Sequence, residues 1–290
     1  MAEDESIEKP PVVPVGDPTD RAVFWQSLIC LLVIMFAAGI VTTISKSGVS
    51  LVGTLVSSQP SSWKVLTTLA GILVLVFLAL KSVRDTRMLS AIMSLAIILG
   101  LTFGTDVLLG PAAGTIIFCL AVVIYFSDPW VVLYDLLLSL GLAGICAAIG
   151  PVFQPEALLL VLCVVAIYDV TAVHLSGKSI LFMRQLPSRR AFFSFVLPLH
   201  WRGLQTRVGK AAGNLGSFGL RGVADLLLPT IFAVSVLWHH GLVAAGSVML
   251  GATLFPVLIH VTASWPRPAP ILPPLALGSA IGYLAFLLVI

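Results

Sequence analysis

"EALLLVLCVVAIYDVTAVHLSGK", residues 156–178, decides what kind of molecule this is. From Ala157 to Leu175 the run is long enough, as a helix rising ~1.5 Å per residue, to cross a ~30 Å hydrocarbon layer. Asp169 lies inside it, with no opposite charge anywhere in the run. A charged side chain deep in a membrane helix costs ~2.5–3.5 kcal/mol on insertion scales. A carboxyl group kept there against that cost points to a function.

The rest of the chain has the same character. Its 290 residues are 59% hydrophobic and 10% charged, with a net charge of +3, and the mean hydropathy is +1.09. A soluble surface needs far more charge. The composition therefore specifies an all-α, polytopic membrane helix bundle and gives no expectation of a nucleic-acid partner. Nine spans can be drawn: 23–43, 65–81, 89–107, 111–127, 131–149, 157–175, 218–238, 242–263 and 271–290. Residues 1–20 are acidic and proline-containing, which predicts a disordered cytoplasmic tail and not the basic start of a cleaved signal. Thr19 or Asp20 would cap the first helix. Residues 21–150 then hold the first five helices. Residues 151–290 hold the last four, with a long loop over 176–217.

Basic residues set the expected orientation. If the N-terminus and the alternate loops share one side, that side holds Lys9, Arg21, Lys81, Arg84, Arg87, the cluster from Lys178 to Lys210, and Arg267. The other side holds only Lys46 and Lys64. The positive-inside rule then places the N-terminus and loop 176–217 in the cytoplasm and the C-terminus outside. Within the loop, "RRAFFSFVLPLHWR" (189–202) mixes aromatics with arginines, which predicts a segment lying on the headgroups.

Asp106, Asp135 and His174 fall near span ends, where headgroups and water can solvate them. Asp135 repeats a Tyr-Asp dipeptide in "LYDLLL" but has no counterpart at its depth. Asp169 and Asp225 do. Measured from the cytoplasmic edge, Asp169 lies ~9 Å in and Asp225 ~10 Å in, on consecutive antiparallel spans. Two carboxyls at one depth can share a proton, so that one activates water while the other polarises a carbonyl and later protonates the leaving amine.

Other chemistries find less support. H-E-x-x-H is absent, and His239-His240 lies at a span end with no acid near it in sequence, so no metal or other cofactor is expected. Cys30, Cys119, Cys146 and Cys163 form no C-x-x-C pair and read as small apolar side chains within spans. Ser217 lacks a histidine at its depth.

The motifs "YD" (Tyr168-Asp169), "GVAD" (Gly222–Asp225) and "PILP" (Pro270–Pro273) occur in that order on spans six, seven and nine. The trio resembles the presenilin and signal peptide peptidase family of intramembrane aspartyl proteases, with motifs Y-D, G-x-G-D and P-A-L-P. The likeness is greatest to the archaeal presenilin homologues and covers most of the chain from span four onward. The resemblance implies a prokaryotic, archaeal cell membrane and hydrolysis of peptide bonds inside the transmembrane helices of substrate proteins or signal peptides. It implies Asp169 and Asp225 as the catalytic pair, Tyr168 as support for the first, and Gly222 as a point of close helix approach beside the second. Leu215, Gly216, Ser217, Phe218 and Gly219 would pair as a strand with an unwound substrate. Pro270, Ile271, Leu272 and Pro273 would bring the start of span nine against the site. Partners are then substrate helices and the bilayer; accessory subunits are not specified.

Two departures matter. Ala224 stands where the motif has its second glycine, which predicts an altered cleavage position or rate. Arg221, four residues before Asp225, is expected to snorkel to the cytoplasmic phosphates. Pro229 has no N–H, so the Asp225 carbonyl loses its helical partner. "PILPP" keeps a helix from starting before about Pro273 or Pro274. Two rival functions remain open on the residues alone: a proton- or cation-coupled transporter, and an inactive binder of transmembrane helices. The transporter would need internal repeats and a site nearer mid-membrane. An activity assay separates the binder.

Overall fold

The computed structural model describes residues 18–47, 86–176, 194–212, 217–262 and 271–289. The tail over 1–17, span 65–81, Leu215, Gly216, Pro270 and most of the Arg-rich loop lie outside the described residues.

The described chain is overwhelmingly helical. Helix α1 runs Pro18–Ser47, α2 Thr86–Leu109, α3 Pro111–Phe126, α4 Val131–Ile149 and α5 Pro155–Ser176. After the loop come a short α6 (Val208–Ala212), then α7 (Val223–His240), α8 (Leu242–Thr262) and α9 (Leu272–Val289). Two strands lie in the loop region, β1 (Ser194–Pro198) and β2 (Phe218–Gly222). Six helices, namely α1, α2, α4, α7, α8 and α9, are long and apolar enough to cross a membrane. The 22-residue α5 is ~33 Å long. The chain is a multi-pass integral membrane protein. Its outward faces carry exposed Phe36, Leu99, Ile116, Val123, Leu254 and Leu288, as lipid-facing surfaces should.

Punctuation follows local chemistry. Gly110, at φ +89°, takes a backbone that side-chain-bearing residues resist, and Pro111 then opens α3, where no N–H is needed. With 16 residues, α3 is ~24 Å long, shorter than a full crossing. Helix α1 begins at Pro18, so Thr19 and Asp20 belong to its first turn and do not precede it as caps. Pro273 and Pro274 fall in the first turn of α9, which starts at Leu272, close to the expected position.

Helix packing uses small residues. Helices α8 and α9 cross where Gly251 faces Gly278 and Ser247 faces Gly282, so closely that a Cβ on any of these glycines would overlap the opposing backbone. Gly100, Gly141 and Gly144 bring α2 onto α4 in the same way. With no hydrophobic drive between helices in lipid, such close approach supplies the van der Waals contact that holds them. Helix α7 is central: it packs against α1, α4, α5, α8 and α9, and Phe232, Val236 and Thr230 on it are fully buried.

The strands correct two expectations. Ser194–Pro198 does not lie on headgroups: Phe195, Val196 and Leu197 are in the core at 0%, 3% and 2% exposure. It pairs antiparallel with β2, Ser194 opposite Gly222 and Pro198 opposite Phe218. Residues 218–222, expected as the start of a helix, are extended instead, so α7 begins five residues late. Short apolar runs fit either state, and here pairing with β1 decides.

The C-terminal end of α7 holds a further correction. His240 has an acid near it after all. Tyr283 on α9 donates its hydroxyl to Glu156 Oε1 at 2.8 Å, and His240 Nε2 lies 3.1 Å from the same hydroxyl. This cluster joins the start of α5 and the end of α7 to α9. Among the described residues, no group of three or more His, Cys, Asp or Glu side chains is placed to hold a metal ion.

Candidate active site

Asp225 is the third residue of α7 and sits in its first turn. Gly222 is the N-cap, with extended backbone at φ −61°, ψ 137°. It therefore terminates the strand and does not belong to the helix, as the sequence spacing had implied. Its closeness to the aspartate is real but has another cause: a Cβ on Gly222 would stand 3.3 Å from Asp225 Oδ2. The glycine leaves the carboxyl its room. Pro229 is buried within the helix, and it offers no N–H to the Asp225 carbonyl.

Asp169 comes from α5, which packs directly on α7. The two carboxyls lie within electrostatic reach of each other, and Arg221 lies within reach of both. Both aspartates are partly exposed, so they line an accessible face and are not sealed in the core. Tyr168 is 67% exposed, with its ring directed out of the bundle. Ala224 is also exposed.

Arg221 departs from expectation. It sits in β2, opposite Phe195, and its Nε donates to Ser27 Oγ of α1 at 3.2 Å. The guanidinium is thus anchored inward to α1 and does not snorkel away. Ser27 is itself buried, and its hydroxyl donates to the Val23 carbonyl at 2.6 Å.

The two-strand ribbon beside the aspartates has one edge bonded to α1 and α4 and, among the described residues, one edge with no strand partner. On β1, the Val196 N–H donates to Asp135 Oδ1 at 3.0 Å, the Ser194 carbonyl accepts from the Tyr134 hydroxyl at 3.1 Å, and the Pro198 carbonyl accepts from Gln26 Nε2 at 2.9 Å. Successive residues of an antiparallel strand alternate in direction, so Ser194, Val196 and Pro198 all turn their backbone away from β2. Their opposite numbers Gly222, Leu220 and Phe218 must then turn theirs away from β1. Among the described residues the sheet has only these two strands. Asp135 is therefore no solvated interfacial group, and Tyr134, at 4% exposure, is no chance neighbour. The sequence signal was present in the strand-like "FVLP", whose proline suits an edge.

Of the other expected residues, Ser217 and Phe218 adjoin or begin β2, Gly219 lies in it, and Ile271, Leu272 and Pro273 bring the start of α9 into the core. Gly219 lets β2 lie against α1, since a Cβ there would collide with Val23.

The described chain is a polytopic helix bundle with a short strand ribbon, and Asp169 and Asp225 stand on two of its packed helices. Two solved structures of a presenilin-family intramembrane aspartate protease share its overall fold. One, in a P2 crystal form, superposes with a TM-score of 0.59 at 22% identity, over 91% of this chain and 96% of that one. The other, in a C222 form, gives 0.55 at 19% identity, over 92% and 98%. No protein-family sequence profile matches the chain, and no curated protein sequence does. The chain has the presenilin fold.

Proposed function

We propose that the protein is an aspartyl endopeptidase that hydrolyses peptide bonds within transmembrane helices of membrane-protein or signal-peptide substrates. The observation that supports this reading is that Asp169 and Asp225 lie on packed helices of a presenilin-like bundle, within electrostatic reach of each other. The open edge of β2 supports it. An unwound substrate segment can pair there as a third strand, along Phe218–Gly222, which overlaps the 215–219 stretch at Phe218 and Gly219. The start of α9 at Leu272 and Pro273 would close the groove.

The chemistry needs one proton between two carboxyls. The ionised carboxylate takes a proton from water as the water oxygen bonds to the scissile carbonyl carbon. The protonated carboxyl gives its proton to the carbonyl oxygen, and a gem-diol results. Collapse of the diol breaks the C–N bond; one proton passes to the departing nitrogen, leaving an amine and a carboxylic acid. In this reading the N-terminus and the loop between α5 and α7 are cytoplasmic, in an archaeal or other prokaryotic membrane. A transporter is less favoured, because Asp225 lies in the first turn of its helix and not near mid-membrane.

The test is cleavage of a membrane-spanning reporter by purified protein in liposomes. Asp169→Asn and Asp225→Asn should each lower turnover by about 10²–10⁴-fold while leaving the fold intact by circular dichroism. Full activity in either single variant would rule out the paired mechanism.

A further inference from the structure

We propose that Tyr134 and Asp135 are positioning residues: together they clamp the outer edge of β1, fix the β1–β2 ribbon and so place Gly222 and the Asp225 end of α7. The part of this concerning catalysis rests on the protease reading; the clamp itself does not.

The two side chains are neighbours near the start of α4, which begins at Val131, and both reach the same strand. Tyr134 donates to the Ser194 carbonyl, and Asp135 accepts from the Val196 N–H. These are successive outward-facing groups of β1, the ones an edge strand leaves unpaired. With Phe195, Val196 and Leu197 buried in the core, such groups are out of reach of water and must be satisfied by the protein. Gln26 takes the outward carbonyl of Pro198, and Pro198 has no N–H to satisfy. Three outward groups of β1, at Ser194, Val196 and Pro198, are thus held by side chains of α1 and α4.

The path from the clamp to the aspartate is short. Tyr134 bonds Ser194; Ser194 stands opposite Gly222; Gly222 caps α7 and its Cβ position borders the Asp225 carboxyl. Loosening the clamp lets the ribbon slip or fray at the very pair that leads into α7. A one-residue slip would turn the opposite set of backbone groups outward on β2. A substrate strand docked there would then shift its own register, and the bond presented to the aspartates would change. The clamp thus sets which edge is available and which bond is cut.

A purely space-filling role for these residues predicts something else: lower stability without a change in cleavage position. The test uses the full-length protein in lipid nanodiscs, with Tyr134→Phe, Asp135→Leu and Asp135→Asn. Asparagine keeps an acceptor oxygen for the Val196 N–H; leucine does not. Phenylalanine keeps the buried ring. The first readout is amide hydrogen exchange over 194–198 and 218–222. It should run about tenfold faster in Tyr134→Phe and Asp135→Leu, equal to ~1.4 kcal/mol, and stay near wild type in Asp135→Asn. The second is mass spectrometry of reporter fragments, which should show a lower kcat and shifted or spread cut sites in the first two variants, restored in the third. Wild-type exchange in Asp135→Leu and Tyr134→Phe would overturn the clamp. Faster exchange with unchanged kcat and unchanged cut sites would overturn the positioning role. A wild-type protein that cleaves no reporter counts against the protease reading alone, because the exchange measurement still decides the clamp. If Asp135→Leu does not fold, Tyr134→Phe carries both readouts.

Discussion

Gly222→Ala isolates the placement of Asp225 from the stability of the fold. The backbone at Gly222, φ −61° and ψ 137°, is open to alanine without strain. Alanine is a poorer N-cap than glycine, at a cost of ~0.5–1 kcal/mol. Restricting the unfolded chain returns ~0.4–1 kcal/mol, so the melting temperature should stay within about 2 °C. The active site should notice far more. The new Cβ would lie 3.3 Å from Asp225 Oδ2, 3.5 Å from Cγ and 3.6 Å from Oδ1. Unstrained non-bonded separations run ~3.5–4.0 Å, so the carboxyl must yield by a few tenths of an ångström. With misplacement costing roughly 10²-fold per ångström, kcat/KM should fall about three- to tenfold. The assay is reporter cleavage in proteoliposomes, paired with thermal unfolding of the same preparation. Unchanged kcat/KM at unchanged stability would show that Asp225 is not held at the reacting position by Gly222. A loss of activity tracking a loss of stability would refute the argument in another way, by making the glycine a packing residue only.

Two further variants test the frame that carries the site. Gly278→Val should cost ~3 kcal/mol or more, because even a Cβ there overlaps the Gly251 carbonyl across the α8–α9 contact; unfolding in graded denaturant measures it, and a stable variant would disprove that crossing. Tyr283→Phe removes the hydroxyl that reaches Glu156 at 2.8 Å and should cost ~1 kcal/mol. His240, beside that cluster, ends the helix that Asp225 begins, some ~22 Å away, so turnover per folded molecule should not change; a large drop in kcat would contradict that separation.

The sequence made the spans legible because each long apolar run has only one stable use in this composition. Asp169 and Asp225 stood out for a related reason: a carboxyl in such a run is costly, and two at one depth are costly twice. What a linear reading could not supply was the return of the loop. Phe218–Leu220 continues the apolar run of α7, so hydropathy alone extends the helix through it; only β1, some twenty residues earlier, turns it into a strand. Asp135 was misplaced for the same reason. Its distance from a span end suggested solvation, but could not foretell the strand that comes back to meet it. Glu156 and His240 are likewise far apart in sequence and adjacent in space.

The strand-to-helix junction also explains how the chain carries alanine where the family motif has glycine. Were residues 218–222 helical, Gly222 and residue 224 would both bear on helix packing around Asp225. With the helix starting at Val223, the two positions separate in kind. Gly222 borders the carboxyl itself, and Val223, between them, is buried. Ala224 is exposed, so its methyl displaces none of the described helices. The constraint on residue 222 comes from inside the protein. At residue 224 any constraint must come from what approaches from outside, which in the proposed mechanism is the substrate strand on β2. A change from glycine to alanine there is therefore compatible with an intact fold and bears on what that groove accepts.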